Sequence, residues 1–168
     1  RGLMVGFARA TPGGPPEGYV LDAAGTVAPI GLLPGGTFSA LNDVNDDGLA
    51  VGQASDASGR TRAITWRDGT ITPLPPFSLS SSDSLLRVNR RGTAVGASSN
   101  PTFQQRPLLL VSGQLVDLNT LLDPATGAGW LVLRATGLNN QGQIVCSARS
   151  PTGAQVACLL TPLPGPPE

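Results

Sequence analysis

The sequence predicts an all-β fold built from repeats of four short antiparallel strands, and three observations carry that prediction. First, the phrase Val44-Asn45-Asp46-Asp47-Gly48-Leu49-Ala50-Val51-Gly52 returns as Val88-Asn89-Arg90-Arg91-Gly92-Thr93-Ala94-Val95-Gly96. It returns again as Leu138-Asn139-Asn140-Gln141-Gly142-Gln143-Ile144-Val145-Cys146, and a fourth copy opens the chain in mid-phrase as Arg1-Gly2-Leu3-Met4-Val5-Gly6. Second, the copies lie 44 and then 50 residues apart, a period that belongs to solenoids, propellers and arrays. Third, 40% of residues are apolar and fall in short runs broken by 22 Gly and 16 Pro, the pattern of many strands and many turns.

The second repeat is the clearest. Its strands read as Ala40 to Val44, Leu49 to Ala54, Ala63 to Trp66 and Thr70 to Leu74. Asn45-Asp46-Asp47-Gly48, Asp56-Ala57-Ser58-Gly59 and Arg67-Asp68-Gly69 separate them, because Gly supplies the positive φ of tight hairpins and Asn or Asp tolerates it. The third repeat follows with Val95-Gly96, Pro107 to Leu110 and Gln114 to Leu118. Between Asn119 and Trp130 it carries about six residues more than its counterparts, so Asp123-Pro124-Ala125-Thr126-Gly127 is expected to protrude as a surface loop, where function more often resides. Ser78 to Ser84 reads as a polar loop between repeats.

The first repeat shows its second, third and fourth strands: Leu3 to Ala8, Tyr19 to Asp22 and Thr26 to Ile30. The last shows its first three, ending at Ala157 to Leu160. Together these make fourteen strands in groups of three, four, four and three. Four strands per 45 or so residues is the arithmetic of propeller blades, about three and a half of them in an incomplete ring, with an open β-repeat array as the alternative. A single β-repeat domain is therefore expected over 1–161, with repeats near 1–37, 38–81, 82–130 and 131–161, and a Pro-rich tail over 162–168. With strands unpaired at both ends, the chain reads as part of a larger propeller-like protein, or as one completed by another copy through its open edges.

The pieces Val44-Asn45-Asp46-Asp47-Gly48 with Val51-Gly52, Ala63-Ile64-Thr65-Trp66-Arg67-Asp68-Gly69, and Ile30 through Ser39 resemble the signature phrases of the bacterial extracellular HAF-repeat family. The resemblance runs over essentially the whole length. Arg62 and Arg106 stand at the family's His position, and Cys146 and Cys158 replace a Gly and a Phe in the last copy. The resemblance implies secretion or display at the bacterial cell surface and no enzymatic activity.

Cys146 and Cys158 occupy the repeat positions of Gly52 and Ile64 and of Gly96 and Leu108. Strands paired through Pro151-Thr152-Gly153 would set the two cysteines opposite each other, which predicts a cross-strand disulfide and an oxidising compartment. Two buried free thiols are the alternative.

Other chemistry is sparse. Asp43-Val44-Asn45-Asp46-Asp47-Gly48 matches half a calcium loop but lacks the closing carboxylate, and its counterparts in the other repeats are unsuited, so no metal or cofactor is expected. With no His and no Lys, serines such as Ser81 and Ser84 have no obvious base, and nearly all the Asp residues sit in turns; no catalytic residue is assigned. Trp66, aligned with Asp22, Leu110 and Leu160, reads as packing between repeats rather than a sugar platform. Zero formal net charge with scattered arginines argues against nucleic acid, and no apolar run is long enough to span a membrane. The expectation is a secreted or cell-surface, non-catalytic interaction module that engages a surface glycan or protein. The alternative is a structural subunit of an extracellular assembly.

Overall fold

The computed structural model describes residues 2–78, 82–102 and 104–163. Among the described residues fourteen strands form four antiparallel sheets, each taking up consecutive strands, and none closes into a barrel. The first sheet holds β1 (Met4–Arg9), β2 (Pro16–Leu21) and β3 (Val27–Pro29). The second holds β4 (Ser39–Val44), β5 (Ala50–Ser55), β6 (Thr61–Arg67) and β7 (Thr70–Pro73). β8 (Ser82–Val88), β9 (Ala94–Ser99), β10 (Gln105–Val111) and β11 (Gln114–Asp117) form the third. A short 3-10 helix, Leu118–Leu121, then leads through the 122–130 insertion into the fourth sheet: β12 (Leu131–Leu138), β13 (Ile144–Arg149) and β14 (Gln155–Leu160). The turn signals fall where strands end. Gly48, Gly92 and Gly142, all with φ near 81°, close the same hairpin by donating their N–H to Asn45, Asn89 and Asn139.

Each sheet stacks on the next, and period-two alternation sends one set of side chains backward and the other forward. Val20, Ile30 and Leu33 meet Leu41, Ala50, Ala54 and Ile64 between the first and second sheets. Val51, Ala63 and Leu74 meet Leu85, Val88, Ala94 and Leu110 between the second and third. Val95 and Leu118 meet Ala135 and Ile144 between the third and fourth. The Val, Leu and Ile side chains among these contribute about 1.5 to 3 kcal/mol each, and the three clusters stand in for the single core that a repeat protein lacks.

Two features fix how closely the strands of a sheet approach. Gly52 sits opposite Leu41 and Gly96 opposite Leu85, where a Cβ would fall 2.0 and 1.9 Å from the carbonyl oxygens of Ala40 and Ser84. Only glycine fits there. In the last repeat the same position is Cys146, opposite Ala135, and β12 carries a second register shift, between Val132 and Arg134, that β4 and β8 lack. A bulge bends its strand locally, and it is the repeat with this added bulge that carries a Cβ at the glycine position.

Polar groups tie the sheets together where apolar contacts stop. The Oδ1 atoms of Asn45, Asn89 and Asn139 accept from backbone N–H groups of their own turns, at 2.9 to 3.1 Å. The Nδ2 of Asn45 donates onward to the Asn89 carbonyl at 2.9 Å, and that of Asn89 to the Asn139 carbonyl at 3.1 Å. Ser39 Oγ, fully buried, accepts from Gly18 N–H and donates to the Gly31 carbonyl of the preceding repeat. Asp83 holds the equivalent place, accepting from Phe77 N–H.

Structure and sequence reading differ at two points. Ser82–Ser84 belongs to β8 rather than to a loop, and buried Asp83 lies within that strand. Of the remainder of that expected loop, residues 79–81 lie outside the described residues, as do residues 164–168 of the expected Pro-rich tail. The Met4↔Leu21 and Ala50↔Trp66 pairs make Leu21, not Asp22, the counterpart of Trp66. Trp66 packs into the core between the first two sheets.

Candidate interaction site

The sequence-predicted pair of cysteines is brought together: Cys146 lies directly opposite Cys158, with Cα atoms 5.3 Å apart, and they form a disulfide. The bond takes the cross-strand position that Ile64 holds opposite Gly52 and Leu108 opposite Gly96. Cys146 is buried within the last sheet. The bridge is a structural one.

The half calcium motif is consumed by contacts between repeats. Asp43 accepts from Val88 N–H at 2.9 Å, Asn45 serves its turn and the Asn89 carbonyl, and Asp46 pairs with Arg90 at 2.8 Å. The Arg90 bond and charge hold the Asp46 carboxyl below its usual range. Among the described residues no three His, Cys, Asp or Glu side chains gather as a metal site would require. Arg62, at one of the two His-equivalent positions, binds Asp56 and the Leu74 carbonyl; Arg106, at the other, binds Asp117. Arg62 thus fastens β6 to the turn before it, and Arg106 fastens β10 to the end of β11.

What the molecule does offer is surface that its own repeats bury elsewhere. Val51 and Val95 are fully buried against the following sheet, whereas Val145, at the same repeat position, is 48% exposed on the outer face of the fourth sheet. Leu159 beside it is 55% exposed and Leu131 44%. The first sheet shows the converse face: Met4 is 61% exposed where Ala50 and Ala94 are buried, and Val27 is exposed where Ile71 packs into the core. Isolated exposed apolar residues are ordinary, but these sit on faces that the repeat otherwise uses for packing.

A groove of about 630 Å³ opens between the third and fourth sheets, walled by Leu118 and Leu121 of the 3-10 helix, Trp130 of the insertion, and Ile144, Cys158 and Leu160 of the last sheet. The insertion is ordered by its own polar bonds. Asp123 accepts from Ala125 and Thr126, which lowers its carboxyl below the usual range, Thr126 being the larger cause. Asn119 mimics a strand, donating to the Val132 carbonyl and accepting from Val132 N–H at 2.7 Å. Trp130, hard to place from the sequence, is thereby set at the groove's rim. Nothing in the linear pattern marks this groove, because Leu118 and Leu160 meet only when sheets stack.

No helix among the described residues is long and apolar enough to cross a membrane. In comparisons with known proteins, the chain matches no protein-family model and no curated protein.

Proposed function

We propose that this chain is a non-catalytic repeat scaffold, secreted or displayed at the bacterial cell surface, that works as an interaction module through the outer faces of its end sheets. The observation that carries this reading is Val145, exposed at a position where Val51 and Val95 are fully buried by the next sheet. An apolar face of this shape gains free energy when covered, at roughly 25 cal/mol for each Å² removed from water. The Cys146–Cys158 disulfide supports an oxidising compartment, and the repeat phrases resembling HAF repeats support the extracellular setting. The second reading, a structural subunit of an extracellular assembly, is favoured by Met4 and Val27 on the opposite end face, since a head-to-tail contact between unlike faces can propagate.

Light scattering across a range of concentrations tests both, with Val145→Lys as the comparison. A wild-type particle of fixed mass supports the module and directs the search to surface glycans and proteins. Mass that grows without limit and is arrested by Val145→Lys supports the assembly. Growth indifferent to Val145→Lys would refute the outer face as the contact.

A further inference from the structure

The geometry points to a site between the third and fourth sheets, formed by Arg87 and the free side of β12, that binds an acidic segment of another polypeptide through an aspartate carboxylate. Both walls are successive sheets within the array, so the site is independent of the end faces.

Three positions of the repeat change charge from one copy to the next. Asp43, Asp46 and Asp47 become Arg87, Arg90 and Arg91, and then Gly137, Asn140 and Gln141. Acid therefore meets base between the second and third sheets, where Asp46 pairs with Arg90 at 2.8 Å. Between the third and fourth sheets base meets no acid. Arg87 and Arg91 are exposed, and among the described residues no carboxylate pairs with either.

The same step changes how a strand edge is served. β8 is the first strand of its sheet, so one side bonds β9 and the other meets side chains of the second sheet. Asn42 Nδ2 donates to the Leu85 carbonyl at 2.6 Å, and Asp43 Oδ2 accepts from Val88 N–H at 2.9 Å. One sheet on, the corresponding groups are the Ala135 carbonyl and the Leu138 N–H of β12.

That correspondence is fixed by register. The shift between Leu41 and Asp43 recurs between Leu85 and Arg87 and between Ala135 and Gly137. Asn89 N–H bonds inward to the Thr93 carbonyl and Asn139 N–H to the Gln143 carbonyl, at 2.9 and 3.0 Å. Neighbouring residues of a strand bond to opposite sides, so the N–H groups of Val88 and Leu138 both point outward. The sheets also sit alike at this end, since Asn45 reaches the Asn89 carbonyl at 2.9 Å and Asn89 the Asn139 carbonyl at 3.1 Å.

The residues placed to serve β12 are Leu86 and Arg87, and neither can. Leu86 has no donor for the Ala135 carbonyl. Arg87 has no acceptor for the Leu138 N–H, and its Nη1 donates to the Leu86 carbonyl at 2.6 Å instead. Among the described residues no side chain bonds either group of β12. A carboxylate from outside satisfies both partners at once: one oxygen accepts from Leu138 N–H, as Asp43 does from Val88 N–H, and the other takes the remaining donors of Arg87. Such charge-assisted bonds are the strong kind. An amide donor beside the acid, in the order Asn42-Asp43 supplies it to β8, serves the Ala135 carbonyl and marks the ligand as polypeptide. Arg91, in the turn after β8, attracts further acids of the same segment.

The test titrates the intact, oxidised chain with a blocked peptide of residues 42–47, Asn-Asp-Val-Asn-Asp-Asp, at low ionic strength, read by backbone amide NMR. Saturable binding is expected with a dissociation constant of about 0.1 to 3 mM, and the Leu138 amide should show the largest downfield shift. Arg87→Ala, at an exposed position, should leave the melting temperature in place and weaken binding at least about fivefold. Arg87→Asp moves the acceptor into the chain, and should slow exchange of the Leu138 amide about tenfold while abolishing peptide binding. No binding at about 10 mM peptide, equal binding by Arg87→Ala, or unchanged Leu138 exchange in Arg87→Asp overturns the proposal. An oligogalacturonate that shifts Leu138 as strongly as the peptide assigns the site to acidic glycans and overturns the polypeptide as its ligand.

Discussion

The second and third sheets and the fourth meet the same packing problem in two ways. At the second strand of the repeat, Gly52 and Gly96 let the first strand come so near that a Cβ would lie 2.0 or 1.9 Å from a carbonyl oxygen. The fourth sheet places Cys146 there, bends β12 with an added bulge, and replaces packing over a glycine with a covalent bond to Cys158. The first sheet has the glycine without the neighbour: a Cβ on Gly6 would meet nothing within 4 Å. Glycine at this position is therefore demanded by the approach of a strand, not by the strand that contains it.

The largest effect is expected from Gly52→Ala. The Ala40 carbonyl cannot yield without moving β4, and a loss of about 3 kcal/mol or more is expected in urea unfolding. Gly6→Ala in the same assay should be neutral or stabilising by about 0.5 to 1 kcal/mol, because a strand glycine with free space gains from a side chain. Equal losses at the two sites would break the comparison. Next comes the disulfide. Reduction, or Cys158→Ser with Cys146→Ser, should cost about 2 to 3 kcal/mol by the loop-closure estimate, and native-state hydrogen exchange should place the loss in β12 to β14, leaving β4 to β7 protected.

The asparagine ladder offers a smaller contrast. Asn89 is buried and joins two turns, so Asn89→Ala strands the Thr93 N–H, takes from the Asn139 carbonyl one of its two bonds, and should cost about 1 to 3 kcal/mol. Asn139 turns its Nδ2 back to Gln143 Oε1 within its own exposed turn, and Asn139→Ala should cost less than about 1 kcal/mol. Thermal melting of both variants sharpens the distinction between joined and terminal repeats.

The smallest effect is one of pH. Asp56 is lowered from 3.8 to about 2, chiefly by the Ser58 hydroxyl, with the backbone N–H groups of Arg60 and Ser58 and the Arg62 guanidinium assisting. A carboxyl lowered in the folded chain contributes its stability above the unfolded value and loses it as pH falls through the folded one. The melting temperature should therefore drop between about pH 4 and pH 2, and Asp56→Asn should flatten that part of the profile. An unchanged slope in the variant would assign the acid loss to other carboxylates, such as Asp46 and Asp123, which are also lowered.

Much of this architecture is legible in the chain because repetition supplies what a lone sequence lacks, a set of aligned examples. The pairing of Cys146 with Cys158 followed from Gly52 with Ile64 and Gly96 with Leu108, and the hairpins from glycines at fixed offsets. The reading slipped where the repeat's markers thin out. The run Thr11 to Pro16 gives no sign of where the next strand resumes, and β2 begins already at Pro16, which moves Trp66's counterpart to Leu21. Serines hid the start of β8, because a buried Asp83 in a strand contradicts what its polarity suggests. The groove was illegible for a different reason: Leu118 and Leu160 belong to different sheets, and a tertiary juxtaposition has no period.

The ladder of Asn45, Asn89 and Asn139 has one more consequence. Each asparagine spends its acceptor on its own turn, and Asn45 and Asn89 spend their donors on the next, so successive units present the same plug and the same socket. The turn-to-turn bond is therefore independent of the unit's other contacts, and it recurs unchanged across intervals of 44 and 50 residues.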